Sequence, residues 1–382
     1  MLAQFGGDVV STIVWIILFI IMIIFGPRLM TTQTILKLEK EATDLEEIAE
    51  KSKNYIIRAL SKRPNAKLRE NVSNFLEFFA IAPVSIDPYG VIKKIDHVIK
   101  NSDQRFRYFV NQVAPDFSEA KKRDIKNALE GAMMTHQIAK IVRHYLELIK
   151  KFKLFQLAMI IQMQIPLISR EAKAAMHATH AFVDGLPIGD GIGPYVAASL
   201  INEKPLLFKE EEFVVAKTNI LGRTVFVAKA DGPGASTGFP GKFLLKFIKK
   251  QKINKIITID AALKLEGEKT GSVAEGVGVA MGGSGVDRYE IEEIAVKNNI
   301  PLDAVAIKLS EEDALEPMKK EVLDSVPKAV EAVKKAVLRS GRNEKILILG
   351  IGNTCGIGND ASSLSKTQEK LKNHFKAKEK KK

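Results

Sequence analysis

The sequence predicts an α/β protein in three parts: an N-terminal transmembrane helix, a helical middle region, and a C-terminal α/β domain with a largely parallel sheet. Three observations predict it. Val9 to Phe25 is a run of 17 residues without a charge. From Leu29 to about 184, apolar residues recur at three- and four-residue steps. Beyond 185, short β-branched runs alternate with helical patterns, and 21 of the chain's 26 glycines fall between Gly185 and Gly358.

The first segment holds only Ser11 and Thr12 as polar members. A hydrocarbon core needs about 20 apolar residues, with roughly 17 as the lower limit, so residues 9–26 suffice to contact membrane lipid as a span. No Lys or Arg precedes the run, and no small-x-small site follows it, which argues against a cleaved signal peptide. Arg28, Lys37 and Lys40 follow. By the positive-inside rule they place the rest in the cytoplasm, and the expectation is a single-pass cell-membrane protein with a cytoplasmic C-terminal domain.

Residues 29–65 read as a helical stalk. Ile35, Leu38, Ala42, Leu45, Ile48 and Ala49 form one stripe, so residues 29–62 are a candidate homo-oligomer contact. Arg63-Pro64-Asn65 ends it. The helical region 66–184 is punctuated at Pro83, Pro88 to Gly90, Pro115 and Pro166. Ser118 is a candidate cap for the helix that follows. Leu154 to Ile168 is apolar but only 15 residues long and contains three glutamines, so it reads as a buried or interfacial helix.

In the domain 185–362, strands are expected at 213–216, 224–230, 255–259, 304–309 and 345–349, with helices at 242–251, 289–298 and 326–340. Ligands bind beyond the carboxyl ends of strands in such sheets. The glycine turns sit there: Gly232 and Gly234 follow Asp231, Ala261 follows Asp260, and Gly350 and Gly352 precede Asn353. The turn Gly189-Asp190-Gly191-Ile192-Gly193-Pro194 opens a helix. Segment 264–271 reads as a mobile loop or a hairpin over the site.

The net charge of +13 is concentrated in residues 366–382, which carry +6 and read, within 363–382, as a basic disordered tail. Nucleic acid is not the expected partner. Cys355 is the single cysteine, which excludes an intramolecular disulfide and a multi-cysteine zinc site. A P-loop fails twice at Gly241-Lys242: Phe243 follows, and Ser236 stands where the first glycine belongs. Gly356-Ile-Gly358 has dinucleotide-fingerprint spacing but no strand after it.

Ile348-Leu-Gly-Ile-Gly-Asn353, Gly189-Asp-Gly-Ile-Gly-Pro194 and Ile259-Asp260-Ala261 together resemble, in circularly permuted order, the hydrogenase-maturation endopeptidases and germination proteases. That resemblance implies a peptidase-like, metal-binding domain in which Asp190 and Asp260 are the acids that hold a divalent ion. The family's histidine is missing, and His177 and His180 are the nearest replacements. Across its length the chain also resembles an archaeal family of membrane-anchored proteins of unassigned function. The shared stretches are the apolar segment, "GLPIGDGIGP", "DGPGASTGFPGK" and "DAALKLEGEKTGSVAEGVGVAMGGSG". From the residues alone, Asp184, Asp190, Asp231, Asp260 and Asp287 all border glycine turns; Asp190, Asp231 and Asp260, with Asn353 from the resemblance, are the candidate ligand or metal groups, and Gly189, Gly191, Gly193, Gly232, Gly234, Gly350 and Gly352 are the turns beside them. A non-enzymatic scaffold or sensor for a small anionic ligand or nucleotide is the alternative.

Overall fold

The computed structural model describes residues 3–81, 90–280 and 285–380. The positions of Pro83 and Pro88 therefore lie outside the described residues. The chain divides into two compact units, residues 1–50 with 134–172, and residues 51–133 with 173–382.

Helix α1 (Ala3–Leu60) runs without a break, so anchor and stalk are not separate elements. No helix among the described residues is long and apolar enough to cross a membrane. This overturns the transmembrane anchor and the single-pass cell-membrane localisation built on it. The reason is length. At 1.5 Å per residue the 17-residue run from Val9 to Phe25 covers about 26 Å, against roughly 30 Å of hydrocarbon. In the first unit, Leu38, Ala42 and Leu45 of α1 are buried. Arg143 of α4 (Glu119–Phe152) holds Glu46 and Glu39, both at 2.7 Å. Ser118 caps α4 through the Lys121 N–H. The segment 154–168 opens α5 (Phe155–Asp184), but Met159, Ile160, Met163 and Leu167 are exposed rather than buried.

The second unit contains the end of α1, α2 (Ala66–Leu76), α3 (Val91–Val113), the start of α4, the end of α5, and a seven-stranded sheet. Asn65 caps α2 by accepting from the Leu68 N–H. The strands are β1 (Leu206–Phe208), β2 (Phe213–Ile220), β3 (Arg223–Ala230), β4 (Lys255–Leu263), β5 (Val273–Val277), β6 (Leu302–Leu309) and β7 (Lys345–Gly350), in the order β1-β2-β3-β7-β4-β6-β5. Only β3, β7, β4 and β6 are parallel; β1, β2 and β5 pair antiparallel. The sheet is therefore mixed and not largely parallel, and the chain as a whole is mostly helical. The overlooked strands β1 and β5 are edges with exposed residues, which lack the apolar run that marks a buried strand. Segment 264–271 is not a hairpin. It carries the chain from β4 past β6 to β5, which pairs with β6.

Strand β7 is interior, between β3 and β4. Its Ile346 and Ile348 face one core with α6 (Ile192–Ser199), α11 (Val326–Leu338) and α12 (Leu364–Glu379). Leu347 and Leu349 face another core with α7 (Pro240–Ile248) and α8 (Val286–Lys297). Between β6 and α11 lie the short helices α9 (Glu311–Leu315) and α10 (Lys320–Leu323). The basic tail is not disordered over 364–379: Thr367 and Leu371 of α12 are buried, and Gln368 donates to the Tyr195 hydroxyl. Two buried anchors on one helical face, Leu371 and the Thr367 hydroxyl bonded to the Gly356 carbonyl, outweigh the charge read from composition.

Candidate carboxylate site

The two glycine turns separated by about 160 residues in the chain meet at the carboxyl ends of β7 and β4. A Cβ on Gly193 would lie 2.1 Å from the Ile351 carbonyl oxygen and 2.4 Å from that of Ile259. Gly352 lies equally close to the Asp190 carbonyl, and it holds φ +126°, a backbone state that L side chains rarely adopt. Only glycines permit this contact. The Asn353 N–H then donates to Asp190 Oδ2 at 2.7 Å.

Asp190 sits in a 3-10 turn, Gly189–Gly191, at the head of α6. Asp260 lies inside β4, and its Oδ1 accepts its neighbour Ala261's N–H at 2.7 Å. Each carboxylate is thus satisfied on one oxygen by one backbone N–H. Asp190 Oδ1 and Asp260 Oδ2 have no hydrogen-bond partner among the described residues. Both residues line one cavity of about 640 Å³, floored by Ala261, Ile351 and Gly352. Burial raises Asp190 above the usual carboxylate range. Asp260 is raised well above it, by burial first and by the charge of Asp190 second. The charge of Asp190 thus disfavours ionisation of Asp260.

A second cavity, of about 400 Å³, shares Ile99, Thr237 and Asp287 with the first, so one cleft runs along the sheet edge. It is lined by charged groups of α3, α4, α7 and α8. Arg107 pairs with Asp103 and Glu212, and Lys126 with Asp103 and Glu130.

Asp231 belongs elsewhere. It binds both terminal nitrogens of Arg123 at 3.1 Å and accepts from Asn359 Nδ2 at 2.8 Å. Asn359 Oδ1 accepts from Gly232 N–H and from Lys229 Nζ, each at 2.8 Å. Lys229 is fully buried and also donates to the Ala230 carbonyl. Burial pushes its ammonium down to about 7. Gly232 packs on the Ile357 carbonyl and Gly234 on α4 at Ala120, so both serve this network rather than the cavity. Asn353 supports the pair from behind: its Nδ2 donates to Asn127 and its Oδ1 accepts from the Cys355 N–H.

Neither histidine supplies a third ligand. His177 hydrogen-bonds Glu316 at 3.1 Å, and His180 stacks on Tyr55 at 3.9 Å. Among the described residues no group of three His, Cys, Asp or Glu side chains is placed to hold a metal ion. Sequence reasoning passed over Lys229, although a lysine inside the apolar strand run "VFVAKA" is a legible signal. It also set Lys242 aside with the failed P-loop.

Two family models match the chain: the DUF1512 N-terminal domain, a protein of unknown function, over residues 12–185, and the DUF1512 C-terminal domain, a domain of unknown function, over 188–358. The chain belongs to the DUF1512 family. No curated protein and no solved structure matches it. The DUF1512 models meet at residues 185–188, the boundary at which the sequence turns glycine-rich. The endopeptidase resemblance finds no support in these matches, and the whole-length likeness stands as kinship with an uncharacterised family.

Proposed function

We propose that this DUF1512 protein is an enzyme of the hydrolase type, in which Asp190 and Asp260 act as a proton-sharing acid–base pair on a small substrate in the cleft. The observation that carries the reading is that the pair presents two unpartnered oxygens to one cavity, one acid raising the other. Structural carboxylates are ordinarily satisfied by hydrogen bonds or ion pairs, as Asp231 is. A buried acid left open to a cavity is the arrangement that general acid–base catalysis needs.

In this reading Asp190, the more readily ionised, accepts a proton from a water held between the two oxygens. Asp260 donates its proton to the leaving group. The Asn353 N–H fixes the orientation of Asp190, and Ala261 that of Asp260. The apolar floor at Ile351 and Ala261 limits bulk water, which strengthens the interaction between the acids. The scaffold alternative is less well supported: it asks for free N–H groups facing the ligand, whereas the two N–H groups nearest the pair are used by the carboxylates themselves.

The test is a carboxyl NMR titration of the full chain. Asp260 should stay protonated well above the ordinary carboxylate range, and Asp190→Asn should bring it part of the way down. Activity found in a hydrolase substrate panel should be lost in both Asp190→Asn and Asp260→Asn. If both acids titrate like exposed aspartates, the pair is not an acid–base device.

A further inference from the structure

The half of the cleft around Asp190 and Asp260 differs in charge from the half beside it. Its lining carries the carboxyl groups of Asp190, Asp260, Asp287 and Glu311, and no lysine, arginine or histidine among the described residues. In the neighbouring half, acids and cations are matched: Arg107 holds Asp103 and Glu212, and Lys100 holds Asp96. The unmatched acids are not merely a solvated surface. Asp260 is only 4% exposed, and its Oδ2, on the cavity lining, has no hydrogen-bond partner among the described residues. A carboxyl group enclosed to that degree is ordinarily paired. The cavity has room for the partner that the protein does not supply.

Two of these acids are not used by the acid–base pair. Glu311 is the first residue of α9, is exposed, and has no ion pair or side-chain hydrogen bond among the described residues. Asp287 stands in the first turn of α8. They reach the cavity from α8 and α9, whereas the pair reaches it from the head of α6 and the end of β4. A ligand group held by Glu311 and Asp287 thus leaves the pair free to act on another part of the same molecule. Much of the remaining wall is apolar, with Leu263, Leu309 and Ile351. The volume of about 640 Å³ lies within the roughly 300–1,000 Å³ of small-molecule sites.

We propose that this cavity takes a small substrate carrying a primary ammonium group on an aliphatic body, with Glu311 and Asp287 as the groups that recognise the charge. The inference rests on the acid–base reading of Asp190 and Asp260 for what happens to the substrate, but not for how it is bound. A cleft lined by one sign of charge concentrates the opposite sign. An ammonium group donates three hydrogen bonds and accepts none, which suits a lining of carboxylate oxygens. The aliphatic body covers the wall at Leu263, Leu309 and Ile351. A phosphate or carboxylate would meet four acids and no cation there, so anionic substrates do not fit. A metal ion fits less well than an ammonium group, because no three His, Cys, Asp or Glu side chains among the described residues are placed to hold one.

The experiment titrates the full chain with three probes of the same alkyl body, n-butylamine, n-butanol and butyrate, at neutral pH and constant ionic strength. Binding is read from the methyl NMR shifts of Leu309 and Ile351, which line the cavity. Butylammonium should bind at least about tenfold more tightly than butanol, the increment of a hydrogen bond to a charged group. Butyrate should not bind. Glu311→Gln should weaken butylammonium about threefold or more, as loss of an exposed ion pair does, and leave butanol unchanged. Glu203→Gln, exposed and outside the cavity, should change neither. Butanol binding as tightly as butylammonium, binding of butyrate, displacement of butylammonium by an equal concentration of Mg²⁺, or no effect of Glu311→Gln each overturns the proposal. Thermal melts confirm that both variants are folded. The carboxyl titration of Asp190 and Asp260 is a separate readout. If butylammonium fails to bind while Asp260 titrates high, the substrate class is wrong and the pair stands. If butylammonium binds while both acids titrate like exposed aspartates, the recognition stands and the acid–base reading falls.

Discussion

Two buried charged clusters lie at the same edge of one sheet and differ in how completely they are satisfied. At the end of β3, Lys229, Asp231, Arg123 and Asn359 bond one another, with only Arg123 Nε left without a partner. At the ends of β4 and β7, Asp190 and Asp260 each receive one backbone N–H and leave one oxygen to a cavity. The first cluster ties the loop after β3 to the loop after β7. The second ties the two turns through one bond, from the Asn353 N–H to Asp190. Burial alone does not separate a structural charge from a working one, but hydrogen-bond satisfaction does.

The largest expected effect tests the glycine contact on which the open pair depends. Gly193→Ala would place a methyl against two backbone carbonyls that cannot rotate away. It should cost about 3 kcal/mol or more in denaturant unfolding, as overpacking at an immovable neighbour does. Gly222→Ala, in open space at φ +77°, should cost only about 1 kcal/mol from backbone strain. Equal losses would show that the turns do not need to touch.

The next effect separates the clusters directly. Asp231→Ala should destabilise by about 2–3 kcal/mol, because it strands Arg123 and removes a partner of Asn359 in a mostly buried setting. Asp260→Asn should change stability by less than about 1 kcal/mol at neutral pH while abolishing the proposed activity, since it removes a carboxyl that burial and Asp190 already disfavour. If Asp260→Asn proves the more damaging to stability, the contrast between the clusters is wrong.

The pH dependence gives effects of opposite sign. Asp260 is raised in the folded state. Its contribution to stability is complete below the unfolded carboxylate range and is lost as pH rises through its folded value. Lys229 is lowered to about 7. Its contribution is complete above the unfolded lysine range and is lost as pH falls through about 7. Asp260→Asn should therefore flatten the stability profile above about pH 4. Lys229→Met should flatten it between about pH 10 and 7, with Asn359 still bonded by the Gly232 N–H. Urea midpoints measured across pH would read both.

The sequence by itself determined the five strongest strands, the interior position of β7 and the meeting of the turns at Gly193 and Gly352. Each depends on local signals: an apolar run buried on both faces, and glycines where two backbones approach. Asp190 and Asp260 both line the cavity at that edge. It did not determine the fate of Asp231, which looks the same in sequence but is claimed by Arg123 from a helix 108 residues earlier. Nor did it determine the edge strands β1 and β5, which have little buried surface to mark them, or the helix at 364–379, where Thr367 and Leu371 override a lysine-rich composition. Only the tertiary structure decided which acids were satisfied and which were left open, because satisfaction depends on partners brought from remote parts of the chain and not on the acid's own neighbours.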